Sequence, residues 1–332
     1  MEISVFQGFA LRWGNGWTFG PNTFQLLIQR LRADFLFRIL GILAVAGLAG
    51  REASAADLDM GRTVPSGSFT KADFEKHVEQ LRKKIPSKDF TIVLTSPFVV
   101  IGDESPEEVR RRSEGTVKWA VEKLKNAYFK QDPRQILDIW LFKDKKSYET
   151  NCKKLFGKTP DTPFGYFSQE DGALVMNIST GGGTLVHEIV HPFVAANFPN
   201  CPAWFNEGLG SLYEQSGELD GEIHGYTNWR LPRLQEAIRK GKLTSFKTLC
   251  QTTDTDFYEK DRGTNYAQAR YLCYYLQQKN LLKTYYRRFL ANRKNDPSGY
   301  KTLKAILERD DMDEFQKQWE SYVLKLKYPN RE

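Results

Sequence analysis

The sequence has few of the features that mark specialised protein classes. Its 332 residues include only 4 cysteines and no Cys-x-x-Cys pair, with near-average glycine (25) and proline (14), and no internal repeat occurs. These features exclude collagen-like and low-complexity chains. The basic excess is small, at +7, and no arginine-rich tract or basic-aromatic ladder occurs, so we expect no nucleic-acid partner. A mean hydropathy of −0.53 excludes a multi-span membrane protein.

The remaining composition is typical of a globular protein, with 40% hydrophobic and 27% charged residues. β-Branched segments alternate with helical ones in the first half, whereas nearly every segment after Thr184 has helical periodicity. This pattern predicts an α+β fold, with a small mixed sheet packed on helices and a helical C-terminal half. The predicted ranges are a signal peptide and leader at 1–55, a linker at 56–72, a mixed subdomain at 73–218 and a helical subdomain at 219–332.

The N-terminal segment has the parts of a secretory signal. Residues 39–50 form an apolar run of twelve residues, preceded by Arg30, Arg32 and Arg38 and followed by the small residues of Ala53–Ala55. A membrane span needs about 20 apolar residues. We therefore predict an exported protein (periplasmic, secreted or cell-surface), cleaved after the last of these small residues. The alternatives are a buried helix or an uncleaved anchor, and only the anchor would make a membrane a partner.

The even number of cysteines leaves two interpretations open. In an exported chain, four cysteines permit two disulfides with three possible pairings. The alternative is four buried thiols. The cysteines concerned are Cys152, Cys201, Cys250 and Cys273.

The segment that carries chemistry is His-Glu-Ile-Val-His at 187–191. On a helix, His187 and His191 are one turn apart and project from one face, so both imidazoles can bind one Zn²⁺. Glu188 is rotated by about 100° from His187, which lets its carboxylate reach a water beside the metal without binding the metal. The alternative is two surface histidines on an ordinary helix.

A second helical segment supplies a third ligand. Catalytic zinc takes three protein ligands and keeps a fourth position open. The segment from Pro202 to Glu214 (PAWFNEGLGSLYE) has an apolar face and places Glu207 one turn in. Its small residues Gly208 and Gly210 suit two helices that cross closely. We predict that Glu207 completes the metal site, the alternative being a solvated surface acid.

These two segments together resemble the gluzincin metallopeptidases, whose motif is HExxH with a downstream glutamate. The likeness is closest to the peptidase-MA-like group related to aminopeptidase N, with its WLNEGFA-type segment. It implies a zincin active-site helix in a catalytic subdomain, one Zn²⁺ per chain held by His187, His191 and Glu207, and Glu188 as general base. The chain departs from these relatives at Ser211, which stands where thermolysin-like members place an aspartate that supports the first histidine.

The resemblance also implies a hydrogen-bond donor for the oxyanion of the reaction. Tyr266 opens a helix and is similar in placement to the tyrosine of the YxKG segment of aminopeptidase N relatives, although Gln268 and Ala269 replace the lysine and glycine. His224 is the rival, in the role that a histidine takes in thermolysin-like members. The alternatives are a packing residue for Tyr266 and a loop residue for His224.

The resulting hypothesis is an exported zinc peptidase that acts on a peptide or protein substrate, with Glu188 moving the proton. By the same family analogy, Gly172–Ile178 is an edge strand to which a peptide adds, the alternative being a core strand. Two other functions stay open. One is a non-catalytic exported protein that keeps the fold for binding or scaffolding, and the other is a zinc hydrolase of a non-peptide substrate.

Overall fold

The computed structural model describes residues 69–329, which form an α+β fold around a five-stranded mixed sheet. The strands are β1 Thr91–Thr95, β2 Phe98–Gly102, β3 Leu137–Phe142, β4 Gly165–Ser168, β5 Ala173–Asn177, β6 Ser216–Leu219 and β7 Glu222–Gly225. The order in the main sheet is β1-β2-β3-β5-β4. The outer pairs are antiparallel and the two inner pairs are parallel. The fold class predicted from the sequence is confirmed.

Both faces of this sheet are covered, because successive side chains of its inner strands enter two different cores. In β3, Ile139 and Leu141 belong to the larger core, whereas Trp140 and Phe142 belong to the smaller one. All four are at most 2% exposed. Strands that are buried on both faces appear in the sequence as continuous apolar runs, as ILDIWLF does here.

The helices fall largely where the sequence predicts them. A π-helical segment, Ser113–Lys118, joins helix α2 (Pro106–Arg112) to helix α3 (Trp119–Ala127), and a short 3₁₀ turn follows β5. Ser105 caps α2 by accepting from the Glu108 N–H, as its position before Pro106 predicts. The helices are α1 Lys71–Arg82, α2 Pro106–Arg112, α3 Trp119–Ala127, α4 Lys145–Phe156, α5 Gly183–Asn197, α6 Ala203–Tyr213, α7 Leu231–Arg239, α8 Phe246–Gln251, α9 Asp254–Glu259, α10 Arg262–Gln278, α11 Leu282–Asn292, α12 Tyr300–Leu307 and α13 Met312–Lys325.

The larger core extends without a break from the sheet into the helical half. It includes residues on both sides of 218, among them Phe193, Leu212, Leu234 and Trp319. Strands β6 and β7 pair as a hairpin at the boundary predicted there. The division into 73–218 and 219–332 stays a prediction. The predicted signal peptide at 1–55 and most of the predicted linker at 56–72 lie outside the described residues.

The edge-strand hypothesis for Gly172–Ile178 is wrong. Strand β5, which this segment contains, pairs with β3 on one side and β4 on the other, so its backbone is already hydrogen-bonded on both edges. The alternative of a core strand applies, and its five residues are all buried. The edge of the sheet is instead β4, which lies in contact with α5.

The cysteines are free thiols rather than disulfides. Three of them, Cys152, Cys250 and Cys273, are buried, and Cys201 is half-buried. Burial raises the pKa of the Cys152 thiol to about 11, so this group stays protonated at neutral pH. The interpretation of the four residues as packed thiols therefore fits the structure.

Candidate metal centre

The centre is built on α5, which runs between the sheet and α6. Its apolar side chains anchor it, since Leu185, Ile189 and Phe193 are fully buried in the larger core. This fixes the rotation of the helix and turns His187 and His191 to the opposite side. Their ring centroids are 4.8 Å apart, as the one-turn spacing predicts.

Helix α6 brings Glu207 against both imidazoles. Glu207 Oε2 lies 3.1 Å from His187 Nε2 and 3.8 Å from His191 Nε2. A ligand atom from each of the three residues lies within 4.8 Å of the others. His187 and Glu207 are 6% and 5% exposed, so two groups of opposite charge are held together away from water. The three residues predicted as metal ligands from the sequence are therefore adjacent.

Two glycines allow this close approach of helices. A Cβ on Gly210 would lie 3.2–3.3 Å from three atoms of the His187 ring. A Cβ on Gly208 would lie 3.0 Å from both the Ala269 carbonyl oxygen and Cys273 Sγ, on α10. One glycine thus makes room for the metal-site histidine, and the other lets α6 pack directly on the backbone of α10.

Glu188 lies beside this group without belonging to it. Its Oε2 is 3.9 Å from His191 Nε2, and the residue is 9% exposed. The cluster of candidate ligand atoms contains His187, His191 and Glu207 but not Glu188. This is the relation that the sequence predicts, with a carboxylate near the ligands and free to act on a water.

Glu214 supports His187 from behind, a role that the sequence analysis did not assign. Its Oε1 lies 3.3 Å from His187 Nδ1, the ring nitrogen that faces away from Glu207. Arg230 donates to both Glu214 oxygens, at 2.6 and 3.0 Å, and Asn228 Nδ2 donates to Oε2 at 3.0 Å. His187 Nδ1 has no hydrogen-bond partner among the described residues, so the contact with Glu214 is an ion pair rather than a hydrogen bond. A carboxylate beside the second nitrogen of a metal-binding histidine favours a proton on that nitrogen and so orients the ring.

Ser211, which stands where the resemblance places a supporting acid, does not take this part. Its Oγ is buried and has no hydrogen-bond partner among the described residues. Glu214 is seven residues after Glu207, which is two helical turns, so both carboxylates project from one side of α6 and its C-terminal cap. That spacing is the signal by which the sequence could have identified Glu214.

Asn206 plays the corresponding role for the second histidine. Its Oδ1 lies 3.0 Å from His191 Nδ1 and accepts a hydrogen bond when that nitrogen is protonated. This tautomer leaves the lone pair on His191 Nε2, the nitrogen that faces Glu207. Both imidazoles thus direct Nε2 toward the same point.

The charges at the centre are strongly coupled. Burial by itself would lower the pKa of His187, but contacts with Glu207 and Glu214 outweigh burial and raise this pKa to about 10. Burial by itself would raise the pKa of Glu207, but the charge of His191 and the hydrogen bond from His187 lower it to about 2. The pKa of Glu214 is also lowered to about 2, since His187 and Arg230 outweigh burial.

Tyr258 also contacts the centre and was not predicted. Its hydroxyl donates a 2.7 Å hydrogen bond to Glu207 Oε1, the oxygen that does not face the imidazoles. Burial and the negative charge of Glu207 raise the pKa of this phenol, so it remains protonated. No sequence pattern indicated this residue, because it lies 51 positions after Glu207 in the short helix α9.

The role of oxyanion donor that the resemblance implies for Tyr266 or His224 stays a prediction. Tyr266 is 7% exposed, and its ring packs beside the Phe257 and Tyr258 rings at centroid distances of 5.3 and 6.3 Å. His224 lies on β7, where its Nε2 is 3.2 Å from the side-chain nitrogens of both Gln277 and Gln278. The ligand group of the centre includes neither residue.

Comparisons with protein-family models and with curated proteins found no match for the chain. Between residues 69 and 329, no helix has the length and apolar character needed to cross a bilayer.

Proposed function

We propose that the protein is a zinc-dependent peptidase of the gluzincin type, exported as its N-terminal segment predicts. The observation that carries the proposal is the convergence of His187, His191 and Glu207 from two helices, with Glu188 beside them. Two imidazoles and a carboxylate are a donor set of catalytic zinc sites, which leave one position open. The HEIVH and WFNEGLG segments match that arrangement in residue type and order.

The spacing of the donor atoms fits this metal. Four ligands arranged tetrahedrally at about 2.1 Å from zinc lie about 3.4 Å from one another. The distances from Glu207 Oε2 to the two imidazole nitrogens, 3.1 and 3.8 Å, bracket that value. The supporting contacts from Glu214 and Asn206 add to the fit, because they lie at Nδ1 of each ring and leave Nε2 as the nitrogen that a metal would take, in exchange for the proton that His187 carries there.

The reaction follows from the positions of the protein's own groups. When bound, Zn²⁺ supplies a Lewis acid that acidifies water and polarises a carbonyl group. Glu188 accepts the proton of the attacking water and delivers it to the leaving amine. His187 and His191 are held in their metal-binding orientation by Glu214 and Asn206.

Strand β4 offers a means of holding an extended substrate. Within residues 69–329 it is an edge of the main sheet that pairs with β5 alone, and it contacts α5, the helix of His187. An extended peptide can add to such an edge through backbone hydrogen bonds. We propose peptides as the substrate class because an extended peptide could pair with the edge of β4 next to the metal centre.

The test compares the wild-type protein with Glu188→Gln and His187→Ala. We expect the wild type to bind one Zn²⁺ and to hydrolyse casein or members of a peptide library, and a chelator to abolish the activity. Glu188→Gln should keep its zinc and lose at least 100-fold in kcat, since it removes the general base. His187→Ala should lose zinc and activity together.

Each failure has a distinct meaning. A wild type that binds no zinc refutes the metal centre. One that binds zinc but cleaves no peptide supports the non-catalytic alternative, or a different substrate if an ester is hydrolysed. Full turnover by Glu188→Gln refutes the assignment of the base.

A further inference from the structure

We propose that Tyr258, rather than Tyr266 or His224, is the catalytic residue that donates a hydrogen bond to the substrate's carbonyl oxygen as negative charge develops on it. The inference rests on the proposed function and adds one named residue to that reaction. A donor of this kind must reach the metal ligands from the side that is open to substrate, because the charge develops there.

The hydroxyl of Tyr258 meets this requirement for position. It is 2.7 Å from Glu207 Oε1, whereas Glu207 Oε2 is the atom that faces His187 and His191. The phenol therefore lies immediately outside the ring of ligand atoms, one carboxylate group away from the metal position.

Exposure distinguishes the side on which Tyr258 lies. The residue is 37% exposed, whereas His187, Glu188 and Glu207 are each 9% exposed or less. Tyr258 therefore connects the buried ligands with solvent, which is the side from which a substrate arrives. Tyr266, whose ring packs beside the Tyr258 ring at a centroid distance of 6.3 Å, is only 7% exposed.

The segment that carries Tyr258 is tied to the helix that carries Glu207. Asp254, the first residue of α9, accepts a hydrogen bond from the backbone N–H of Ala203, the first residue of α6, at 3.2 Å. Thr253 caps α9 by accepting from the Asp256 N–H at 3.1 Å. These contacts fix the position of the Tyr258 phenol relative to the Glu207 carboxylate, although the two residues lie on different helices.

For the hydroxyl of Tyr258 to change its hydrogen-bond acceptor, only its O–H bond has to rotate. Without substrate, the Tyr258 hydroxyl donates to Glu207 Oε1. During attack, the carbonyl oxygen gains negative charge and becomes the stronger acceptor, so the same O–H turns to it. The proton stays on the phenol throughout, and Glu188 carries the proton that is transferred.

The experiment compares Tyr258→Phe with Tyr266→Phe, a matched removal of one hydroxyl from the neighbouring ring. For each variant, kcat, KM, zinc Kd and the Kd of a phosphinic peptide that mimics the tetrahedral intermediate are measured. We expect Tyr258→Phe to lower kcat by about 100- to 1,000-fold, the usual effect of losing one oxyanion donor. Measured at saturating zinc, it should weaken phosphinic peptide binding by a similar factor, with KM changed less than about threefold. Loss of the hydrogen bond to Glu207 should itself raise the zinc Kd by no more than about 10- to 100-fold. Tyr266→Phe should keep kcat within about threefold.

Three results would overturn the inference. If Tyr258→Phe keeps wild-type kcat, or loses zinc affinity and recovers full kcat at saturating zinc, the hydroxyl only positions Glu207. If Tyr266→Phe suffers the larger loss, the family-like assignment is correct instead. A wild type that binds zinc but cleaves no substrate fails the proposed function itself, and this inference with it, before any variant is compared.

Discussion

Replacing Glu214 by glutamine tests whether the supporting carboxylate holds the metal centre together. Every group around this side chain is a donor or becomes one on protonation: two nitrogens of Arg230, the amide nitrogen of Asn228 and Nδ1 of His187. Glutamine has almost the same shape, but it removes the negative charge. The glutamine also places an NH₂ group among the donors of Arg230, Asn228 and His187, so this NH₂ group has no acceptor there.

Two routes give a similar magnitude for the loss of stability. A pKa lowered from its ordinary 4.5 to about 2 corresponds to about 3 kcal/mol of favourable interaction with the ionised carboxylate. Removing one partner of a buried ion pair typically costs about 3–5 kcal/mol, and the Glu214 and Arg230 side chains are only 12% and 15% exposed. Loss of such a support also typically weakens metal binding about 10- to 100-fold.

The assay measures urea unfolding of the metal-free protein and zinc affinity by competition with a chelator. Glu214→Gln should reduce the free energy of unfolding by about 3 kcal/mol and raise the zinc Kd at least tenfold. The matched control is Glu218→Gln, whose carboxylate lies 2.8 Å from Lys123 Nζ but is 47% exposed. That change should leave both the urea midpoint and zinc binding close to wild type, since exposed ion pairs contribute little. If Glu214→Gln behaves like this control, the proposed support of His187 is refuted.

Two further predictions concern glycines. Gly210→Ala should raise the zinc Kd, because the new Cβ would lie 3.2–3.3 Å from the His187 ring, and a chelator titration that matches wild type would contradict this. Gly183→Ala should lower the free energy of unfolding by about 1 kcal/mol or more, and with it the urea midpoint, since its Cβ would lie 2.1 Å from the Glu214 carbonyl oxygen. The matched change Gly115→Ala, with no atom within 4 Å, should be neutral or stabilise by up to about 1 kcal/mol, so equal midpoints would refute the packing argument.

Local signals were enough to predict the main elements of the fold. The Ser105-Pro106 start of α2 and the Gly157 stop of α4 act within one helical turn, so the sequence carries them directly. The approach of Glu207 to His187 and His191 was predictable because a catalytic zinc site of the expected kind takes a third protein ligand besides two imidazoles. Such features depend on spacing along one or two helices.

The edge strand of the sheet and the contact of Tyr258 with Glu207 could not be predicted from the sequence. The Ala173–Asn177 segment looks the same in sequence whether one or both of its edges are paired, because pairing is decided by segments far along the chain. The contact between Tyr258 and Glu207 depends on how α9 docks on α6, over a separation of 51 residues. No periodicity encodes that docking.

The end of α6 explains why the HExxH motif alone cannot define the centre. Arg270, which is fully buried, donates to the carbonyl oxygens of Ser211, Leu212 and Tyr226. A buried cation is costly unless its hydrogen bonds are made. Two of the three go to carbonyl oxygens in the last turn of α6, where the helix dipole favours a positive charge. The third goes to Tyr226, and Arg270 Nη1 has no hydrogen-bond partner among the described residues. Because this clamp fixes the last turn of α6, it also fixes the point from which Glu214 reaches His187. The orientation of a ligand on α5 therefore depends on a residue of α10 that no metal-binding motif includes.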